Sequence, residues 1–333
     1  MDKETISITE AEALIKAALT ANGVAEVSAC AVASALVAAE AEGQVGHGFS
    51  RLGDYVAQVK TGKVDGRAIP SLTEHGASSI LVDAGHGFAY PAMDLAIREG
   101  TKRAKAQGTA SMAITRSHHC GALSLQVEKI ARAGSIGIMV ANAPAAIAPW
   151  GARTPVFGTN PIAFAAPRVG ADPLVIDLSL SKVARGKVMH AKKSGTEIPL
   201  GWALDAGGQP TTDPEAALGG TMVPIGEAKG TALALMVEIL ASAMTGANPS
   251  ARMPSFFTAD GPPNDAGQFL MALNPPNPEG FAERMETILG LIEGAEGARL
   301  PGTRRRAAIA RARSHGIDVP RHYLEAARDL AGG

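Results

Sequence analysis

The most constraining feature of this chain is a regular alternation of strand-like and helix-like segments through its middle. Residues 78–83 form an apolar, strand-like run, residues 91–107 have the pattern of a helix, and residues 109–115 are again strand-like. A further helical stripe ends at Gly134, and the apolar run 136–141 completes the series. Strands and helices that alternate in this way pack as layers, so the sequence predicts an α/β fold.

The composition is typical of a globular protein packed with small side chains. Of the 333 residues, 46% are hydrophobic but only 4% are aromatic, and the formal net charge is -1. Balanced charge provides no overall attraction to nucleic acid or to an anionic membrane, so we expect small-molecule partners and neither of those two. No signal peptide opens the chain, and Cys30 and Cys120 lie in unlike settings, so we expect a cytoplasmic protein without a structural disulfide.

Outside this middle region, several elements are predicted from periodicity and capping patterns. The first helix is expected to start at a capping box formed by Thr9-Glu10-Ala11-Glu12, and residues 25–42 form a second, Ala-rich helix. Residues 231–244 are strongly apolar and predict a buried helix. The stretch 250–267 is expected to be an irregular surface loop, and residues 268–274 a strand.

The familiar nucleotide and metal motifs are not present. No Gly-x-x-x-x-Gly-Lys-Ser/Thr loop occurs, and the run that starts with Gly85-His86-Gly87 has Tyr90 where a Rossmann fingerprint needs its third glycine. Adjacent side chains such as His118, His119 and Cys120 rarely point at one ion, and no zinc motif accompanies them. The sequence therefore predicts no metal site.

Scattered polar groups remain as candidates for chemistry. His118 and His119 lie in the turn between the strand 109–115 and the following helix, where free amide groups suit an anion or a reacting carbonyl, although such pairs are also common as plain loop residues. His47 lies between two glycines that permit positive φ, and Arg51 and Tyr55 follow it on one helix face. Together these groups are of the kinds that hold a carboxylate and move one proton.

Several segments, in this order along nearly the whole chain, resemble the malate/L-lactate dehydrogenase family of the second type. That family also contains ureidoglycolate and sulfolactate dehydrogenases and the Δ1-piperideine-2-carboxylate/Δ1-pyrroline-2-carboxylate reductases. The resemblance is carried by Gly46-His47-Gly48 with Arg51, Ser117-His118-His119-Cys120-Gly121, Gly158-Thr159-Asn160-Pro161-Ile162-Ala163-Phe164, Gly201-Trp202-Ala203 with Thr211-Thr212-Asp213-Pro214, and Lys229-Gly230 with Glu238.

The resemblance implies roles for individual residues. His47 matches the family's proton donor, His119 and Lys187 are further catalytic candidates, and the substrate would contact Arg51 through its carboxylate, with Tyr55 and Thr159 beside it. The implied cofactor contacts are His119, Cys120, Gly121, Ala122, Leu123, Thr159, Asp177, Leu178, Ser179, Lys229, Gly302, Arg304, Arg305 and Arg306.

The resemblance also implies a fold and an assembly. The fold would be a non-Rossmann α/β structure, with a mixed sheet, helices on its faces and a helical N-terminal part. We expect an N-terminal helical segment for substrate and dimer contacts (1–75), a central NAD(P)-binding α/β region (76–250) and a C-terminal strand and helices that pack back on the first segment (251–333). The cofactor would be NAD(P)H, with NADPH favoured, and the assembly a homodimer.

Two substrate classes stay open on the sequence. One is a small 2-oxo carboxylate of the malate, lactate or sulfolactate type, reduced to its 2-hydroxy acid; the other is a cyclic ketimine, reduced to L-pipecolate or L-proline. Lys187 aligns with a position where hydroxy-acid enzymes carry Lys and imine reductases carry Asp, which favours a 2-oxo acid. The doubled histidine and the run Phe164-Ala165-Ala166-Pro167 resemble the imine reductases instead, and Gly46 replaces a serine that is common in the family.

Overall fold

The structure is a computed structural model that describes residues 2–332, with only the backbone described for Lys193. The N-terminal part is helical, as expected, and one short strand precedes its helices. Its elements are β1 (Lys3–Ile6), α1 (Ile8–Ala21), α2 (Glu26–Ala41) and α3 (Leu52–Thr61), with 3-10 turns at Val45–His47 and Phe49–Arg51.

The central and C-terminal parts supply the remaining strands and helices. In chain order they are β2 (Ser71–Gly76), β3 (Ser79–Asp83), α4 (Ala89–Gln107), β4 (Thr109–Ser117), α5 (Leu123–Arg132), β5 (Ile136–Ala141), β6 (Ile162–Ala166), β7 (Leu174–Leu178), α6 (Arg185–Ser194), β8 (Ala203–Leu204), α7 (Pro214–Gly219), β9 (Thr221–Met222), α8 (Ala228–Glu238), β10 (Ala266–Leu273), α9 (Pro278–Glu293), α10 (Thr303–His315), β11 (Ile317–Pro320) and α11 (Arg321–Leu330). The predicted alternation of strands and helices through the middle of the chain is confirmed.

The main sheet has seven strands in the order β2-β3-β4-β10-β5-β6-β7. Only β3 and β4 run parallel; every other neighbouring pair is antiparallel, so the expected mixed sheet is confirmed. The strand β10, from the last third of the chain, lies at the centre, where Leu270 is paired with Met112 on one side and Met139 on the other. A central antiparallel strand thus joins sequence segments that lie more than a hundred residues apart.

Both faces of this sheet are covered by helices. Because strand side chains alternate between faces, Leu270 joins the cluster that contains α4 and α5 residues such as Met93 and Val127. Its neighbour Phe269 joins the opposite cluster, with Val237 of α8. The helices from the two chain ends belong to the same first cluster, which contains Ile15 of α1 and Leu324 of α11; there β1 pairs with β11 and α11 packs on α1.

The predicted capping box of the first helix needs correction. The capping box of α1 is formed by Ser7 and Glu10, each side chain bonded to the other's backbone N–H, and not by Thr9 and Glu12. Because β1 ends at Ile6 and α1 begins at Ile8, the N-cap is Ser7, two residues before the predicted Thr9.

The apolar helix expected at 231–244 is only partly buried. It comprises α8 and a π-helical turn, Ile239–Ala243, and its inward face (Ala234, Val237 and Ala241) is covered by the sheet. Its outward face leaves Leu235, Ile239 and other large apolar side chains exposed, so the prediction of a buried helix is wrong for the single chain. Among the residues described, no helix has both the length and the apolar character required to cross a membrane.

Candidate functional site

His47 is held in a tight turn between α2 and α3. The buried Glu40 side chain of α2 accepts a hydrogen bond of 2.9 Å from the backbone N–H of Phe49. A Cβ atom on Gly48 would collide with the Glu40 carboxylate, so a larger residue there would displace this buried side chain. The glycines around His47 are free to adopt positive φ, but neither Gly46 nor Gly48 does so. The requirement for Gly48 comes from close approach of the backbone to Glu40.

The turn places His47 against His119, 72 positions later in the sequence. Their rings are stacked with centroids 5.2 Å apart and planes 18° from parallel. The Nδ1 atom of His119 lies 2.7 Å from the hydroxyl of Tyr55, which is itself 3.0 Å from the hydroxyl of Tyr90. Because Tyr55 is completely buried and its hydroxyl has these two partners, the structure places it as a support for His119.

Arg51 presents its guanidinium beside the two histidines. Its Nε donates to the carbonyl of Gly46 over 2.7 Å, and its Cζ lies 4.2 Å from the centre of the Phe257 ring. The Nη1 atom is buried, lies 3.7 Å from an Asp54 oxygen, and has no hydrogen-bond partner in the structure. Arg51 is therefore oriented on one side and keeps donors free for an acceptor on the other.

Burial and the Arg51 cation keep the nearby imidazoles neutral. Partial burial and then the charge of Arg51 lower the pKa of His47 to about 4. Burial, followed by the charges of Lys63 and Arg51, lowers the pKa of His118 to about 3, and the pKa of His119 is also well below its usual value for the same reason of burial. One fixed cation among neutral rings suits an anionic substrate.

The residues after His119 connect this cluster to a second site. Cys120 is buried, which raises the pKa of its thiol to about 12, so it is not a nucleophile. Gly121 has φ of +66°, and a Cβ there would lie 2.7 Å from the Tyr90 hydroxyl. Ala122 and Leu123 begin α5, and the next amide, that of Ser124, donates to the Asp177 carboxylate at 2.8 Å.

A cleft of about 840 Å³ lies at this junction. Its walls are the end of α2, the N-terminus of α5, the end of β7 and the N-terminus of α10. Among the predicted cofactor contacts, the lining residues are Asp177, Leu178, Gly302, Arg304 and Arg305. This volume is within the range of small-molecule sites, which reaches roughly 1,000 Å³.

The chemistry of the cleft fits an anionic dinucleotide. Gly302 has φ of +80° and provides no side-chain cap, so the first amides of α10 are without a side-chain partner at the cleft wall. Arg304 is exposed, whereas Arg305 is held by Glu42, with a 2.9 Å ion pair, and by Glu128. Arg299 and Arg304 thus line the cleft without an ion partner among the residues described, whereas Arg305 is paired with two carboxylates.

The other predicted site residues lie on elements of the fold other than the His47 turn and α3. The Thr159 carbonyl accepts from the Leu180 amide at 2.8 Å, which places Thr159 beside the end of β7 with Ser179. Lys187 is exposed, with its Nζ 6.0 Å from the Trp202 ring centre. Lys229 is exposed in the first turn of α8, and Arg306 is half-buried in α10. No hydrogen bond among the residues described links these side chains to His47 or His119.

The sequence interpretation missed the aromatic residues that complete the site. Phe256 lies 5.5 Å from the His118 ring and 5.1 Å from the His119 ring, and Phe257 covers Arg51. The stretch 250–267 was expected to be a surface loop, but Phe256 is buried. The available signal was two adjacent phenylalanines among only 8 in the chain.

Comparison with known proteins adds to this geometry. A family model described as Malate/L-lactate dehydrogenase matches residues 6–327. The chain belongs to the malate/L-lactate dehydrogenase family. It is therefore an NAD(P)-dependent oxidoreductase, as the sequence resemblance predicted.

Two curated relatives and two solved structures from this family cover nearly the whole chain. A (2R)-3-sulfolactate dehydrogenase (NADP(+)) from Chromohalobacter salexigens is 47% identical over 98% of this chain and 98% of its own. A Δ1-pyrroline-2-carboxylate/Δ1-piperideine-2-carboxylate reductase from Pseudomonas syringae pv. tomato is 37% identical over 99% of this chain and 97% of its own.

The structural similarity is equally extensive. The crystal structure of a Δ1-piperideine-2-carboxylate reductase from Pseudomonas syringae pv. tomato superposes with a TM-score of 0.93, at 37% identity, over 98% of this chain and 99% of that one. A sulfolactate dehydrogenase from Methanocaldococcus jannaschii gives 0.91, at 27% identity, over 99% and 98%. The predicted family fold is confirmed.

Proposed function

We propose that this enzyme interconverts a small 2-oxo carboxylate and its 2-hydroxy acid, with 3-sulfopyruvate and 3-sulfolactate as the first candidates and NADPH as the favoured cofactor. The observation that carries the reaction type is the free, buried Nη1 of Arg51 beside a neutral His47. The relative that is 47% identical is named a (2R)-3-sulfolactate dehydrogenase (NADP(+)), which supports both the substrate and the cofactor.

Arg51 has the first role in the mechanism. Its planar fork would bind the substrate carboxylate with two parallel hydrogen bonds, which fixes the orientation of C2 as well as adding affinity. The Gly46 carbonyl and the Phe257 ring hold the guanidinium in place for this purpose. Neutralisation of Arg51 by the carboxylate would also remove one of the two causes that lower the pKa of His47.

His47 would then serve as the proton donor. With a bound carboxylate, the pKa of His47 would rise from about 4 in the direction of the ordinary value of about 6.5, which favours the imidazolium that protonates the developing alkoxide. The stacked ring of His119, fixed through the hydroxyl of Tyr55, limits how far His47 can turn. The reduced nicotinamide supplies the hydride to C2 when it is bound.

The cofactor would be held by the 840 Å³ cleft and by the turn that leads to it. Arg304 and the uncapped N-terminus of α10 would bind phosphate groups, because both provide donors and positive charge. Cys120 to Leu123 would pass between the cofactor and the catalytic cluster, with Thr159 and Ser179 near the end of β7. Lys229 stays a proposed contact that depends on how α8 is placed in the assembled enzyme.

A second candidate function is reduction of a cyclic ketimine. It is favoured by relatives named Δ1-pyrroline-2-carboxylate reductases, which are 35–39% identical, among them one from Pseudomonas fluorescens at 39%. Such a substrate also carries a carboxylate on the carbon that accepts hydride, so Arg51 and His47 would keep their roles. We place this function second because the relative named sulfolactate dehydrogenase is more similar to this chain, at 47% identity.

The assembly we propose is a homodimer. The outward face of α8 and the π-helical turn exposes Leu235, Met236, Ile239 and Met244, and among them Leu235 and Ile239 lie four residues apart and so share one side. Exposed apolar side chains in this arrangement are typical of subunit contacts. We propose a cytoplasmic location, because both cysteines are free and Cys30 is exposed.

The function is tested by following oxidation of NADPH and NADH against 3-sulfopyruvate, oxaloacetate, pyruvate and Δ1-pyrroline-2-carboxylate. We expect the highest kcat/KM with NADPH and 3-sulfopyruvate, and the product identifies the substrate class directly. His47→Asn is the negative control for contaminating activity. A wild-type enzyme that reduces only the cyclic imine would replace our first candidate by the second, and no turnover with any of the four would refute both.

A further inference from the structure

Residues 253–260 form a segment that covers the catalytic cluster, which we call the aromatic segment. It follows a 3-10 turn at Ser250–Arg252 and precedes β10. Its Phe256 packs edge-on or tilted against the rings of His118 and His119, and its Phe257 lies over the guanidinium of Arg51. Phe256 is buried, whereas Phe257 is 49% exposed. The two neighbouring rings therefore contact the proposed carboxylate anchor and the histidine behind it.

The aromatic segment is attached to the N-terminal part through its backbone carbonyls. Gln58 Nε2 donates to the carbonyls of Phe256 and Thr258 at 2.9 and 3.1 Å. Thr61 Oγ1 donates to the carbonyl of Ala259 at 2.8 Å. All of these donors come from α3, whose N-terminal end carries Arg51, so one helix holds both the anchor and its cover.

Lys63 provides the strongest part of this attachment. The side chain is only 2% exposed, and its Nζ donates to the carbonyls of Ser255, Thr258 and Asp260 at 2.7, 2.9 and 3.3 Å. An ammonium group has three N–H donors, so these carbonyls use all of them. Hydrogen bonds from a charged donor are roughly twice as strong as neutral ones, and a carbonyl left without its donor in a buried place is costly.

We propose that Lys63 is a positioning residue for the reaction, and that it acts by holding the aromatic segment so that Phe257 fixes the plane of Arg51 and Phe256 keeps water from His119. This inference rests on the proposed binding of a carboxylate by Arg51. A guanidinium confined against an aromatic face loses little further freedom when it binds a carboxylate, so its affinity and orientation both improve. Neither Lys63 nor Phe257 touches the reacting atoms.

The test compares Lys63→Met, Lys63→Arg and Phe257→Leu in the full-length enzyme, with Lys60→Met as a matched control. Lys60 is an exposed lysine in the last turn of α3, three positions before Lys63, and it forms no ion pair among the residues described. We expect Lys63→Met to raise KM for 3-sulfopyruvate about tenfold and to leave the Kd for NADPH within about twofold. Lys63→Arg should recover much of the loss, Phe257→Leu should repeat the KM effect at an unchanged Tm, and Lys60→Met should match the wild type.

A purely structural role for Lys63 gives a different result. Such a role would lower the Tm of Lys63→Met but leave its KM for 3-sulfopyruvate unchanged as long as the variant folds. That outcome overturns the proposal. If Lys63→Met does not fold, Phe257→Leu decides, because its half-exposed ring adds little to the core; a wild-type KM in that variant refutes the inference.

Hydrogen exchange separates this inference from the proposed function. Even if no 2-oxo or 2-imino carboxylate is reduced, Lys63→Met should speed amide exchange in residues 253–260 about tenfold or more, with α4 unaffected. Unchanged exchange in the aromatic segment would show that Lys63 does not hold it, whatever the substrate proves to be.

Discussion

The rings of His47 and His119 are stacked 5.2 Å apart, and the far side of His119 is bonded to Tyr55. The His119 imidazole is thus fixed by the Tyr55 hydroxyl and packs against the His47 imidazole. His47 itself lies on a turn held by Glu40. Burial and the charge of Arg51 lower the pKa of both histidines, but the Nδ1 of His119 is engaged by a hydroxyl whereas the Nδ1 of His47 has no hydrogen-bond partner among the residues described.

Replacement of the proposed proton donor is the most direct prediction. His47→Asn should lower kcat roughly 10²- to 10⁴-fold, because general acid catalysis by a positioned histidine contributes about that much. Affinity for NADPH, measured by fluorescence titration, should change little. The exposed His75 of β2 provides a control in His75→Asn. Wild-type turnover in His47→Asn would mean that another group donates the proton.

The pH response of His47 should depend on Arg51. Burial and the Arg51 charge lower the pKa of His47 to about 4, so His47 is neutral in the free enzyme at neutral pH. Arg51→Gln removes the second cause, and the pKa of His47 should therefore rise, with its NMR titration moving to higher pH. Arg67→Gln, at an exposed arginine, should leave it unchanged. A titration that is identical in the wild type and in Arg51→Gln would remove Arg51 from this role.

The hydroxyl of Tyr55 should matter more for turnover than for folding. Tyr55→Phe removes a 2.7 Å hydrogen bond to His119 and a 3.0 Å bond to Tyr90, which costs on the order of 1–2 kcal/mol of stability. We expect kcat to fall about tenfold or more because His119 loses its orientation. Tyr323→Phe, at a half-buried tyrosine of α11, is the control. Equal kcat in both variants would contradict the supporting role of Tyr55.

Two neighbouring arginines should give opposite phenotypes. Arg304→Gln should weaken NADPH binding about five- to tenfold at an unchanged Tm, because an exposed cation of the cleft is lost. Arg305→Gln should instead lower the free energy of unfolding by on the order of 3 kcal/mol, because it leaves the buried Glu42 carboxylate unpaired. Calorimetry and fluorescence titration on both variants measure these effects. The reverse pattern would show that Arg305 binds the cofactor.

Substrate class should depend on Gly46 and Lys187. The double variant Gly46→Ser with Lys187→Asp should shift the ratio of kcat/KM from 3-sulfopyruvate toward Δ1-pyrroline-2-carboxylate, because a carboxylate favours the protonated imine and an ammonium opposes it. Lys105→Asp, on an exposed position of α4, controls for the change of net charge. If the wild type already prefers the cyclic imine strongly, the electrostatic argument fails.

Much of the local structure was predictable from the order of the residues alone. Periodicity and breakers located the strands and helices from 78 to 141, since side-chain spacing along a helix or strand is a local property. The motif around His47 and Arg51 also lies within five residues, and its members do meet in the structure. The family resemblance supplied the oxidoreductase function, which the comparisons confirm. The three-segment division and the site roles stay predictions.

Which distant segments meet was not predictable in this way and depends on tertiary packing. The pairing of β10 between β4 and β5, the bond from Tyr55 to His119, and the packing of Phe256 on the histidines join positions far apart in the chain. Contacts of this kind depend on how whole elements pack, which no local pattern encodes. Tertiary packing also explains why Arg304 and Arg305 differ in their ion pairs, although the two are adjacent in the sequence. Arg305 lies opposite Glu42, 263 positions away, and pairs with it, whereas the charge of Arg304 stays free for a ligand.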